Sequence, residues 1–151
     1  MANKGPLNYT TVIAASKTAG ECIAMLAEHG ADQIGMSYAD KKPVGLTFRV
    51  ETVHGHRQFS LPVNVEGVFE ALVRANRTGG IPPKYASREQ AERTSWRVLK
   101  DWLEVQLALV DAGIAELEES MLAYVHVAPG ITMAQAWREN EHQALTAGSG
   151  R

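Results

Sequence analysis

Two histidines one residue apart, His54-Gly55-His56, form the first constellation in this chain that could do chemistry. On a strand such a pair points the same way, and imidazole suits zinc, copper or iron. Here the glycine marks a turn and no third ligand lies near in sequence, so a solvated turn is expected and no metal site is assigned. Glu139-Asn140-Glu141-His142 carries one Glu-x-x-His unit, which di-iron bundles use in pairs. The single copy reads as a polar helix face. Cys22 precedes His29 by two helical turns, but a nucleophilic cysteine needs a thiolate-stabilising setting and a base. With Ile23 and Leu26 around it, a buried structural cysteine is expected. No phosphate loop, dinucleotide fingerprint or serine elbow occurs. The chain therefore reads as a non-enzyme, with no catalytic residue and no cofactor.

Basic residues offer a different chemistry, contact with phosphates. Arg49, His56, Arg57, Arg74, Arg77, Lys84, Arg88, Arg93, Arg97 and Lys100 run from the middle of the chain into its longest proline-free segment. If they converge on one strip, that strip tracks a nucleic-acid backbone, single-stranded DNA among the candidates. The expected outward sheet face offers few aromatics for base stacking, which counts against a single-strand groove.

The element that must position most of these residues is a helix over 87–125. Ser87 and Gln90 make a capping box, and Glu89 suits the positive end of the helix dipole. Ala91, Ser95, Val98, Trp102, Val105 and Leu109 recur at helical spacing, and Trp96, Leu99, Leu103 and Leu107 form a second stripe beside them. From Val105 to Val110 the helix is apolar nearly all round, which calls for cover on every side. Trp96, Leu99, Leu103, Leu107 and Val110 are accordingly expected to form a homo-oligomer interface. Gly113 stops or kinks the helix, and a second helical segment over 114–124 follows.

Upstream, Tyr9 to Ile13 has the β-branched composition of a short edge strand. Thr18 and Glu21 make another capping box, opening a helix that buries Ala19, Cys22, Ile23 and Leu26 and stops at Gly30. Strict alternation then predicts an antiparallel meander: Ile34, Met36 and Tyr38, next Val44, Leu46, Phe48 and Val50, and last Phe59, Leu61 and Val63 share its greasy face. A helix capped at Asn64 should cover that face together with the first helix. Adjacent glycines and prolines at 79–83 mark a hinge. Residues 126–130 read as a loop, and Thr132 with Gln135 caps a short final helix carrying Met133, Ala136 and Trp137.

These elements predict an α+β fold, a three- or four-stranded antiparallel sheet with helices on one face followed by a long C-terminal helical region. Its parts are an α/β half over 1–78, a hinge over 79–86, a helical half of the same domain over 87–145 and a mobile tail over 146–151, with a second loose tail at 1–8. At 151 residues the chain can bury a core without staples, and its single cysteine excludes an internal disulfide. The first residues lack the apolar stretch of a signal peptide and no run suits a membrane helix, so a cytoplasmic protein without a membrane partner is expected. Formal charge is segregated: residues 1–39 carry −1, residues 40–100 carry +5 and residues 101–151 carry −6. Such asymmetry suits an anionic partner for the middle, or attraction between a basic and an acidic face.

The run from Trp96 to Gln106, WRVLKDWLEVQ, with Arg88-Glu89-Gln90-Ala91 before it and Phe59-Ser60-Leu61-Pro62 upstream, resembles a family of small proteins of tailed phages and prophages. The similarity spans residues 9–125 and brings no active site with it. It implies a phage accessory protein, placed in the host cytoplasm, and gives weight to nucleic acid as partner. The leading expectation is thus a non-enzymatic nucleic-acid-binding protein; the alternative is a homo-oligomeric adaptor that binds another protein and no nucleic acid.

Overall fold

The computed structural model describes residues 4–149. Its α+β fold begins with α1 (Ala15–Glu28), followed by β1 (Ala31–Ala39), β2 (Lys42–Thr52) and β3 (Gly55–Ser60). Helix α2 (Val65–Arg77), a 3-10 turn at Pro83–Tyr85 and the long α3 (Arg88–Asp111) come next. The chain closes with α4 (Leu117–Ser120), a 3-10 turn at Leu122–Tyr124, a hairpin of β4 (His126–Ala128) and β5 (Ile131–Thr132), and α5 (Met133–Gly148).

Strands β1, β2 and β3 form an antiparallel meander with β2 in the centre. One face packs on α1 and α3. The core holds Ala19, Cys22 and Leu26 of α1, Leu46, Phe48 and Phe59 of the sheet, and Trp96, Leu99, Leu103 and Leu107 of α3, closed by Met121 and Val125. Gln33, Gly35, Thr47, Arg49 and Gln58 occupy the other face, as the alternation requires. Two register shifts alter the expected pattern. Between Ser37 and Tyr38 the pairing jumps from Gly45 to Pro43, so Val44 is the extra residue: it turns out to solvent, and Pro43 turns in. Tyr38, also expected inside, is exposed.

Helix starts are explained by their caps. Asn64 accepts from the Gly67 amide at 2.8 Å and Ser87 from the Gln90 amide at 3.1 Å. Thr132 and Gln135 form the full reciprocal box. Thr18 does not cap: α1 begins at Ala15, and Thr18 lies buried within it, accepting from Arg97 Nη1 at 3.3 Å. Gly30 (φ +91°) and Gly113 (φ +69°) end α1 and α3 in the left-handed region that favours glycine.

Other expectations need correction. Tyr9 to Ile13 forms no strand: the turn over 7–10 runs on into irregular chain, and the Gln90 side chain takes the carbonyls of Tyr9 (2.7 Å) and Thr11 (2.9 Å) that a strand would give to a neighbour. Asn8 adds a hydrogen bond to Asp101 at 2.7 Å, so this part of the expected loose tail is tethered. Residues 1–3 and 150–151 of the two expected tails lie outside the described residues. The segment read as a hinge is packed: Ile81 is buried with Leu72, Ala75 and Ala91, and Asn76 donates to its carbonyl. The second helical segment shrinks to α4 and a 3-10 turn. The expected loop at 126–130 forms the β4–β5 hairpin instead, tied to β3 by the bridge between Phe59 and Val125. Helix α5 extends to Gly148 and has no buried residue; Trp137 is 69% exposed.

Cys22 is fully buried, and that burial pushes its thiol up to about 11. Reaction with an aromatic disulfide reagent is expected to be at least ~100-fold slower in the native protein than in urea, since the thiolate is scarce and sealed. Equal rates would place Cys22 at the surface.

Candidate functional site

The ten basic residues expected to share a strip are dispersed, and half of them already have carboxylate partners. Arg49 lies on the open sheet face and clamps Asp32 through two bonds of 2.8 and 2.9 Å. Arg57 pairs with Val50 in the register, on the covered face, its Nε 3.7 Å from Glu118. Arg88 grips Glu66 and stacks on Phe69. Arg97 reaches Glu21 of α1 at 2.8 Å, and Lys100 lies between Glu21 (4.0 Å) and Glu104 (3.5 Å). Arg93 donates to Gln90 at 2.7 Å. Arg74 and Arg77 close α2, Lys84 rests against Tyr85, and His56 is exposed on β3; none of the four has an ion pair among the described residues.

The proposed oligomer contacts fare similarly. Trp96, Leu99, Leu103 and Leu107 are enclosed by the chain's own sheet and α1, so they offer no face to a second copy. Within the all-round apolar run Leu107 is buried and Leu109 and Val110 are half-buried, whereas Val105 and Ala108 are exposed. Leu107 and Val110 line a surface concavity of the chain itself.

That concavity is a cleft of 810 Å³ between the C-terminal ends of α1 and α3, the end of β2, and α4. Its floor is apolar: Leu26, Phe48, Val50, Leu107, Val110 and Leu117. Its rim carries five carboxylates, Glu28, Glu51, Asp111, Glu116 and Glu118, with His29 among them. Each is placed by a local rule. Glu28 and Asp111 are the last residues of α1 and α3 before their glycine stops. Glu116 caps α4 in a reciprocal box with Glu119. Glu51 stands opposite His56, one residue before the end of β2.

Glu118 lies deepest. Burial pushes its carboxyl up, but the Thr52 hydroxyl, its own backbone amide, His54 and Arg57 together hold it below the ordinary range, so it is ionised at neutral pH. Its Oε1 is sealed from solvent without a hydrogen bond.

His29 Nε2 lies 2.9 Å from the Asp111 carboxylate and Nδ1 lies 2.7 Å from the Met25 carbonyl. Both nitrogens can donate at once only in the imidazolium, which raises the group, Asp111 first and the Met25 carbonyl second. No nitrogen is left to act as a base on a substrate. A raised histidine stabilises the fold below its unfolded value of ~6.5 and loses that contribution as pH climbs through the folded value. His29→Gln should therefore weaken the protein at about pH 5.5 and much less at about pH 9, read by urea unfolding. Equal losses at both would assign His29 to packing alone.

The paired histidines of the sequence do not meet. His54 Nε2 is 3.4 Å from Glu116, while His56 lies on β3. Glu139 and His142 line a second concavity between the β4–β5 hairpin and α5. Among the described residues no group of three histidine, cysteine or acidic side chains is placed to hold a metal, and no helix is long and apolar enough to cross a membrane. Of the cleft's polar residues, His29 alone figures in the reading of the sequence above, and not as a site. A signal was there: both helices end in an acidic residue followed by a glycine stop, where cations are normally favoured. Searches against family models, curated proteins and solved structures find no match.

Proposed function

We propose that this chain is a non-enzymatic adaptor that binds another protein rather than nucleic acid. The observation that carries the reading is where the charges stand. Arg49, Arg57, Arg88, Arg97 and Lys100 are engaged by the chain's own carboxylates, while the apolar-floored cleft between the ends of α1 and α3 is rimmed by five carboxylates and repels phosphate. Releasing an arginine from a two-bond clamp to meet a phosphate costs the clamp, so the gain on binding a polyanion is small. The resemblance to small phage proteins suits an accessory role of this kind, in which a phage product engages a partner without chemistry.

Electrophoretic shifts with single- and double-stranded oligonucleotides test it. No shift is expected even at about 20 mM salt, where phosphate contacts are strongest. A complex at low salt that dissolves steeply as salt rises would overturn the adaptor reading and restore the nucleic-acid one, with Arg74, Arg77 and Lys84 as the first contacts to remove.

A further inference from the structure

We infer that the cleft between the ends of α1 and α3 receives a cationic, apolar-flanked segment of the partner protein, a lysine or arginine whose neighbours are aliphatic. The inference rests on the adaptor reading and names what the adaptor holds. Three independent features point to that chemistry.

The first is the pairing of an apolar floor with an acidic rim. Leu26, Val50, Leu107, Val110 and Leu117 offer contact to methylene and methyl groups, while Glu28 and Glu51 stand at the rim with no ion pair among the described residues. Facing the five carboxylates from the packed elements are Arg57 of β3 beside Glu118, Arg49 of β2, which feels Glu51 but is already clamped by Asp32, and three histidines, His29 at the end of α1, His54 in the β2–β3 turn and His56 opposite Glu51. Negative charge is in excess there. A lysine or arginine matches such a site, because its stem is apolar and its head is charged.

The second feature is the direction of the helices. Both α1 and α3 end at the cleft, and neither has a basic residue in its last turn. Each C-terminus presents about half a negative charge. Glu28 and Asp111 add full negative charges at these same ends, which opposes the ordinary preference. Among the described residues the His29 side chain, paired with Asp111, is what offsets this at α1 and α3. An incoming cation relieves the repulsion and is favoured by both dipoles.

The third feature is that the apolar surface does not stop at the cavity. Val53, on the lip, is 88% exposed, and Ile114, just beyond the end of α3, is 71% exposed. A free amine or a lone amino acid would occupy only part of the cleft and leave Ile114, which lies outside its lining, untouched. A polypeptide segment covers Val53 and Ile114 with residues on either side of its cation, so a protein segment is the occupant chosen here. Contact of this kind places a charged anchor in a desolvated pocket with a hydrophobic surround, the pattern of an interface hot spot.

The test is fluorescence polarisation with the whole chain and a labelled, terminally blocked peptide of alternating leucine and lysine. One control peptide carries acetyl-lysine in place of lysine, the other serine in place of leucine. Both controls are expected to bind at least tenfold more weakly. On the protein side, Glu51→Lys with Asp111→Lys is expected to weaken the parent peptide at least tenfold. Glu139→Lys with Glu141→Lys, an equal charge change on α5, is expected to leave affinity within twofold. Both pairs replace exposed side chains, and circular dichroism confirms folding. Equal losses from the two double variants, or a serine control that binds as well as the parent, would overturn the proposal by showing attraction to net charge alone. Self-association at low salt that Arg74→Glu with Arg77→Glu disperses and the peptide competes away would assign the cleft to a second copy, and overturn it also. If the peptide fails while oligonucleotides fail too, the cleft assignment falls and the adaptor reading stands. If oligonucleotides bind, the adaptor reading falls whatever the peptide does.

Discussion

Replacing Trp96 with alanine should cost about 3–5 kcal/mol of folding free energy, the range for emptying a fully buried aromatic site. Trp96 is 0% exposed and is among the largest fully enclosed side chains. It joins α3 to the sheet twice over. Its ring fills the space beneath the strands, and its indole N–H donates 2.9 Å to the carbonyl of Pro43. That carbonyl belongs to the residue that the register shift at Ser37 and Tyr38 places on the buried face. Trp96→Ala leaves it without a donor, which adds about 1–3 kcal/mol where water cannot reach. Trp96→Phe keeps most of the volume and should lose mainly this second part. For a domain with about 5–15 kcal/mol of stability in total, the alanine variant approaches unfolding at room temperature. Urea denaturation followed by circular dichroism measures both. A loss below about 2 kcal/mol for Trp96→Ala would show that the core can collapse around the gap.

Phe59→Ala is expected to be nearly as damaging, about 3–5 kcal/mol, with an effect that spreads further along the chain. Phe59 is completely buried and stacks on Phe48 of the central strand, ring centres 4.9 Å apart and 12° from parallel. In a double-mutant cycle the pair should couple by about 0.5–1.5 kcal/mol. Phe59 is also the residue whose backbone bridges to Val125, the attachment of the C-terminal hairpin to β3. Amide exchange in β4 and β5 should therefore accelerate in Phe59→Ala more than in α2, which packs in a separate cluster around Leu72 and Ile81. Uniform acceleration across both would mean that the hairpin and α2 unfold as one unit.

Much of this architecture is written in local signals. The caps at Asn64, Ser87 and Thr132 stand where the side chains predict, because each needs only a hydroxyl or amide three residues from an orphan amide. The meander follows from alternation, which survives because one face is buried. What could not be read depends on tertiary partners. Thr18 and Glu21 have the pattern of a cap, yet Arg97, seventy-six residues after Glu21, engages both and draws them into the packing of α1 on α3. Gln90 looks like half of a capping box, but its amide instead ties down Tyr9 and Thr11. The basic strip failed for the same reason: charge along a chain says nothing of which carboxylate folds opposite each arginine. The cleft stayed hidden because its five acidic residues come from four segments, and only the fold gathers them.

The fold also sorts its three tryptophans by environment. Trp96 is sealed, Trp102 is half-buried in edge contact with Tyr124, and Trp137 stands on the water-facing side of α5. Their emission is therefore separable by colour and by iodide access, the last indole being reddest and first quenched. Since α5 packs chiefly on the 3-10 turn at 122–124 and on the β4–β5 hairpin, and buries none of its residues, that signal reports on the terminal helix. Titrations at the cleft can thus be followed against an optical reference built into the same molecule.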